Sequence, residues 1–395
     1  MNPSQGIPVA QAPAAQADKM TLVNRARLAA EMRAAQLDAL IVCSPVNVFY
    51  LTRAFMDDQR ERVWDAMLQV VVWPLEGDPV LIASLSAEGQ ARRSTWFGDV
   101  RTYEWPTASP VPALARVLEE KRLHRARLGL ELTALPAATF TALTAAVPAA
   151  RVAEAGLVLE RTRAAKTPGE VALLRELARK TERAIEETFL QAHPGERERE
   201  VAVRLIANLL RHGAHEARTP WLGVGANATT RRRRASDDPL VSGEVVRVDF
   251  GGWLDGFASD ITRMAVVGSP SPRQEDMYAR VRDVQLTLFD AMKPGVLARD
   301  VHATYRQAVE KQGLPFAGGI VAHSIGARVH EYPVIRDETL DAPLEAGMVM
   351  AVEPTVTLPR EAKYTIEDLV LVTQTGAVRL SDVISTSELL VIPGS

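Results

Sequence analysis

The sequence predicts a two-domain protein of α/β (α+β) class. Strand-like and helix-like runs alternate through residues 21–155, as in an α/β unit. Further on, Asp255-Gly256 joins two apolar runs in the pattern of a tight hairpin. Between these regions, Thr167-Pro168-Gly169-Glu170 has the residue types of a helix N-terminus with a capping box. A length of 395 residues also favours two domains over one.

Residues 1–20, rich in Pro, Gln and Ala, read as a floppy tail. They lack the basic start and apolar middle of a secretory signal. Thr21–Ala35 has apolar residues at helical spacing, Leu37–Val42 is a buried strand, and Ser44-Pro45-Val46-Asn47 reads as a loop. Met67–Trp73 and Pro79–Ala83 are strands separated by the turn residues Glu76-Gly77-Asp78, and Pro112–Arg122 and Leu135–Ala146 are helices. A domain boundary near Ala155 gives a first domain over 21–155 and a second over 156–395. The helix opened by Thr167 runs to about Gln191, where Pro194-Gly195 breaks it, and another follows to Arg211 with Gly213 as its stop. Ser271-Pro272-Arg273-Gln274 caps a helix reaching Met292, and Arg299–Gln312 is a further helix ended by Gly313. Gly347–Glu353 and Thr365–Val372 are late strands.

Bulk properties exclude several classes. A net charge of −3 provides no global field to recruit nucleic acid or an anionic membrane surface. The run Arg231–Arg234 is short and has no interleaved aromatics, which makes it a poor nucleic-acid site. The one cysteine, Cys43, cannot form an internal disulfide, and its apolar setting suggests an inert buried thiol. No apolar run reaches the length of a membrane span, so the expected compartment is the cytoplasm.

The chemistry centres on Val246–Arg263, VRVDFGGWLDGFASDITR. A turn at Asp255-Gly256 pairs Leu254 with Phe257, Gly251 with Asp260 and Asp249 with Thr262. Side chains alternate along a strand, so Asp249 and Asp260 share one face as diagonal neighbours, with bare Gly251 between them leaving room for something bulky. Two carboxylates there would repel each other, and a cation would reverse that sign. Three more groups can join them: His323 in the glycine-punctuated turn VAHSIG, Glu353 at the end of MVMAVE, and Glu367 at the start of IEDLVLV. Taken singly, each reads as an ordinary structural or exposed residue. Together they make four carboxylates and one imidazole, an oxygen-rich set suited to two divalent ions such as manganese or cobalt, with zinc as an alternative.

The motifs DFG–x8–DITR, HSIG–x3–HE, VEPT and IED resemble those of the pita-bread metallopeptidase family, which includes methionine aminopeptidase, prolidase, aminopeptidase P and creatinase. LDALIVCSPVNVFYLT and RTRAAKTPGE extend the resemblance to the creatinase/prolidase N-terminal domain. The resemblance implies a creatinase-like N-terminal α/β domain followed by a pita-bread catalytic domain, and a homodimer. It also implies residue roles. Asp249 would hold one metal, His323 and Glu353 the other, and Asp260 and Glu367 would bridge them. Glu353 would shuttle a proton as base and then acid, and His330 would hydrogen-bond the substrate.

The chain departs from the family pattern at two positions. Arg232 stands where family peptidases carry a histidine, and Thr365 where prolidases commonly carry an arginine. Tyr364 is then a candidate polar replacement, and Arg232 a candidate reader of a substrate carboxylate, since a guanidinium grips carboxylates through paired hydrogen bonds. The expected activity is hydrolysis of short proline-containing peptides, Xaa-Pro dipeptides first. The alternatives are an aminopeptidase P-like enzyme, a C–N hydrolase of a small molecule in the manner of creatinase or ectoine hydrolase, and a non-enzymatic peptide-binding module.

Overall fold

A computed structural model describes residues 22–54, 67–230, 233–316, 318–336, 341–359 and 361–394. The tail expected over 1–20 and the candidate Arg232 lie outside the described residues. The chain divides into two compact units, Met1–Gly156 and Leu157–Ser395.

In the first unit six strands form one sheet, in the order Val100–Tyr103, Val80–Ser84, Val70–Pro74, Ala39–Val42, Arg127–Leu130 and Arg151–Glu154. Ala39–Val42 is buried at every residue and pairs antiparallel to Val70–Pro74 and parallel to Arg127–Leu130. Such a strand is covered on both faces, which explains its unbroken apolar run. Helix Val111–Glu120 contributes Leu114, Val117 and Leu118 to the apolar cluster on this sheet, and helix Ala137–Ala146 contributes Leu143. The segment expected as a loop at Ser44–Asn47 instead opens a helix, Pro45–Thr52. Ser44 Oγ accepts from the Asn47 amide, and Pro45 occupies the first turn, where a missing N–H breaks no helical hydrogen bond. Buried Glu131 accepts from the amides of Cys43 and Ser44 at 2.7 and 2.9 Å. Burial, and then the Glu131 charge, raises the Cys43 thiol above its ordinary range, so it stays protonated and inert.

In the second unit the capping box forms: Thr167 Oγ1 accepts from the Glu170 amide, and the Glu170 carboxylate accepts from the Thr167 amide. Helices Pro168–Gln191 and Glu198–Arg211 pack against one face of a sheet ordered Leu390–Ile392, Ile261–Val267, Val245–Phe250 and Trp221–Val224. Helices Pro272–Ala291 and Ala298–Lys311 pack with a second sheet, ordered Glu331–Ile335, Ala322–Ser324, Val349–Val352, Asp368–Val372 and Ala377–Arg379. Alternate residues of Val245–Phe250 serve different clusters. Val246, Val248 and Phe250 join the first helix pair and Val245 the second. The face that begins with Val245 becomes charged at Arg247 and Asp249. Among the described residues, no helix is long and apolar enough to cross a membrane.

Two late segments differ from expectation. His323 lies in strand Ala322–Ser324, paired with Val334 on one side and Ala351 on the other, rather than in a turn. Thr365–Val372 is not one strand. Ala362–Thr365 pairs with Thr355–Leu358, Asp368–Val372 pairs with Val349–Val352, and Glu367 falls at the break. The Glu367 amide donates to the Thr262 carbonyl at 3.2 Å, which ties the break to the other sheet.

Candidate metal centre

The hairpin has the register that the turn residues demand. Asp255 and Gly256 both take positive φ, 46° and 77°, as a two-residue turn requires. Leu254 pairs with Phe257 and Thr262 with Asp249. Between these pairs the Ser259 amide donates to the Gly252 carbonyl at 3.0 Å, so the same register runs through Gly251 and Asp260. Gly251 does not open space for a ligand, as its sequence position had suggested. A Cβ there would lie 1.9 Å from the Ser259 carbonyl oxygen, so the glycine is needed for close backbone approach.

His323, Glu353 and Glu367 converge on the two aspartates from the second sheet. His323 Nε2 lies 3.8 Å from Glu353 Oε1, 3.8 Å from Glu367 Oε1 and 4.0 Å from Asp260 Oδ2. These separations are too long for hydrogen bonds, and among the described residues neither His323 Nε2 nor Glu367 Oε1 has a hydrogen-bond partner. Orphaned buried polar atoms are costly. Nitrogen and oxygen ligands at about 2.1 Å from one ion stand roughly 3–4 Å from each other, so this gap has the dimensions a divalent ion spans. His323 Nδ1 lies 3.1 Å from the Ser324 carbonyl, which assigns the proton to Nδ1 and leaves the Nε2 lone pair aimed at the carboxylates. The residues present therefore fit a divalent metal.

Electrostatics agree with that fit. Burial pushes the Asp260 carboxyl well above its ordinary range; Arg218 opposes the rise, and Glu367 and Asp249 add to it. Burial, then Glu367, Asp249 and Asp260, does the same to Glu353. Glu367 is pushed up to about 7, by burial first and Asp249 next. Burial lowers His323, keeping the imidazole neutral. Raised carboxyls make the folded state bind more protons than the unfolded chain, so stability is lost as pH climbs through their folded values. His323 acts in the opposite direction near its unfolded value, but it is one group against three. Chelated protein should therefore melt at a lower temperature at about pH 8 than at about pH 5, while metal-loaded protein should not. Thermal melts at both pH values check this, and a chelated protein that gains stability over that range would contradict the crowded-carboxylate account.

His330 is half-buried and stacks on His323 with ring centroids 4.2 Å apart. A ligand atom of His330 lies within 4.8 Å of ligand atoms of His323 and Glu353. The structure does not bring Tyr364 to this cluster. Its ring is fully buried in the apolar core behind the second sheet, and its hydroxyl reaches toward Glu361 at 3.4 Å. Alternation along Ala362–Thr365 accounts for this, because Tyr364 and Ala362 point to the core while Lys363 and Thr365 point to the other face. Thr365 Oγ1 shares a hydrogen bond with Thr355 Oγ1, and the Lys363 charge counteracts the rise at Glu353.

Sequence reasoning missed Arg218 altogether. Strand Glu216–Ala217 pairs with Gly252–Leu254, and the Arg218 amide donates to the Gly251 carbonyl at 2.9 Å. From there Nη2 reaches Asp249 Oδ1 at 2.6 Å and Asp260 Oδ1 at 2.5 Å. No local pattern in HEARTPW signals this, because the contact depends on a third strand joining the hairpin.

The chain is similar to known proteins along most of its length. Residues 172–374 match metallopeptidase family M24, and residues 25–165 match the creatinase/prolidase N-terminal domain. An Xaa-Pro dipeptidase from Pyrococcus furiosus is 31% identical over 228 residues, which is 57% of this chain and 65% of that protein. An Xaa-Pro dipeptidase from Lactobacillus helveticus is 28% identical over 343 residues, 86% of this chain and 91% of that protein. The crystal structure of dipeptidase PepE from Mycobacterium ulcerans superposes with a TM-score of 0.81 at 27% identity, covering 97% of this chain and all of that one.

Proposed function

The chain belongs to metallopeptidase family M24, and from that membership we propose that it hydrolyses Xaa-Pro dipeptides with two divalent metal ions, manganese first. The observation that carries the reading is the convergence of Asp260, His323, Glu353 and Glu367 around orphaned atoms of His323 and Glu367, with Asp249 joined to Asp260 through Arg218. The substrate class is supported by relatives named Xaa-Pro dipeptidase at 28–31% identity. Residues 156–395 are the proposed catalytic domain and 21–155 an accessory domain; a homodimer and a cytoplasmic location complete the proposal.

In this reading Asp249, Asp260, His323, Glu353 and Glu367 would hold the two ions. When bound, such a pair activates water and polarises the scissile carbonyl. Glu353 accepts the proton from the attacking water and returns it to the leaving nitrogen. His330 stacks beside the ligand cluster and donates a hydrogen bond to the scissile carbonyl oxygen as charge builds there. Thr262 fixes Glu367, donating to its Oε2 at 2.8 Å.

The test is metal-reconstituted enzyme assayed on Xaa-Pro dipeptides, longer Xaa-Pro peptides, creatine and ectoine. Fastest turnover on the dipeptides is expected. Preference for the longer peptides would make it an aminopeptidase P-like enzyme, and turnover confined to creatine or ectoine would replace the peptidase reading with a small-molecule hydrolase.

A further inference from the structure

One nitrogen of Arg218 stands where a cation between Asp249 and Asp260 would stand. Nη2 lies 2.6 Å from one carboxylate and 2.5 Å from the other, and a divalent ion sharing the same two oxygens at about 2.1 Å would overlap it. Burial works against the guanidinium charge, and Asp260, Asp249 and Glu367 more than offset it, so the pairing is electrostatically favourable. The same three carboxylates belong to the ligand set.

Arg218 is held less completely than a structural arginine of this fold. Arg263 Nη1 donates to the carbonyls of Thr262 and Glu367, and its Nη2 to Glu182 and Asp368. Arg218 makes its two carboxylate contacts through Nη2 alone. The guanidinium also lies over the Trp221 ring, 4.9 Å from its centroid, and the side chain is 13% exposed. The aromatic plane therefore already supports it while it bridges the carboxylates, and its side chain is not sealed from solvent.

We propose that Arg218 is the resident cation of the metal-free centre, holding Asp249 and Asp260 together until a divalent ion displaces its guanidinium from their oxygens. The inference rests on the metal-centre reading above. Metal and guanidinium are mutually exclusive, because they need the same oxygens and repel each other at contact distance. Arg218 thus protects the fold from its own carboxylate repulsion before loading, and metal affinity is lower because the arginine must leave.

The experiment titrates manganese chloride calorimetrically into chelator-stripped, full-length wild type, Arg218→Met and Arg218→Gln, with melting temperatures measured before and after loading. The proposal expects the variants to bind the first ion at least about tenfold more tightly, the loss of one charge-assisted competitor. It also expects them to melt at a lower temperature than wild type when stripped and to gain more on loading. Equal or weaker affinity in a folded variant overturns the proposal while leaving the metal centre intact. A wild type that binds no manganese overturns the metal-centre reading and this proposal with it. If neither variant folds, a crystal structure of metal-loaded wild type decides. A guanidinium still bridging both aspartates overturns the exchange, and one withdrawn from them supports it.

Discussion

Asp260→Ala is expected to bind neither divalent ion at concentrations that saturate the wild type, and to lose turnover by roughly a thousandfold or more, about 4 kcal/mol of transition-state stabilisation. Asp260 lies at the start of strand Ile261–Val267 and faces Asp249 across the hairpin; one of its oxygens contacts Arg218, and the other lies 4.0 Å from His323 Nε2. Among the described residues, Asp260 is the aspartate that touches Arg218 on one side and approaches His323 on the other, so its loss should empty both positions rather than one. The fold should survive, because the substitution removes a like charge from a crowded set and the packing residues of the strand are elsewhere. Metal content by plasma emission, measured beside the melting curve of chelated protein, gives the answer. A variant that keeps two ions per chain would remove the bridging role.

Glu353→Gln is expected to keep the fold and cut kcat by about 10²–10⁴, the range for removing a positioned acid–base group. The amide matches the carboxylate in shape but cannot take up a proton. Glu353 follows the fully buried strand Val349–Val352, and its amide donates to the Val321 carbonyl at 2.9 Å, so its backbone placement does not depend on side-chain charge. Because the carboxyl is raised by burial and by Glu367, Asp249 and Asp260, metal binding must first strip its proton. The loss should therefore appear in kcat with metal supplied in excess. A rate within tenfold of wild type under that condition would mean that Glu353 moves no proton in the slow step.

The sequence alone determined the local parts of this protein. Asp255-Gly256 fixes a turn, and a turn fixes the register on both sides of it, so the pairing of Asp249 with Thr262 was legible without coordinates. Thr167 and Ser271 both cap helices as their spacing predicts, since capping depends on atoms within four residues of each other. Motif resemblance also led to the family before any geometry. What failed locally failed for identifiable reasons. Ser44–Asn47 reads equally as a loop or a helix start, because Ser and Pro serve both, and buried Glu131 anchors the start from 87 residues away. Tyr364 and Lys363 are neighbours in sequence, and only the pairing of Ala362–Thr365 with Thr355–Leu358 decides which of them faces the core.

The tertiary structure decided how the charges meet. His323, already named from its motif, is buried by strands on both sides with its Nδ1 against a carbonyl, leaving Nε2 aimed at three carboxylates. Arg218 entered the centre because Glu216–Ala217 adds a third strand to the hairpin and sets a guanidinium between Asp249 and Asp260. Electrostatic coupling falls with distance through space and is strong only where water is excluded, and neither quantity is written along the chain. Periodicity and turn chemistry act within a few residues and so can be read directly, whereas a guanidinium set between two carboxylates from different strands is a property of sheets that have already assembled.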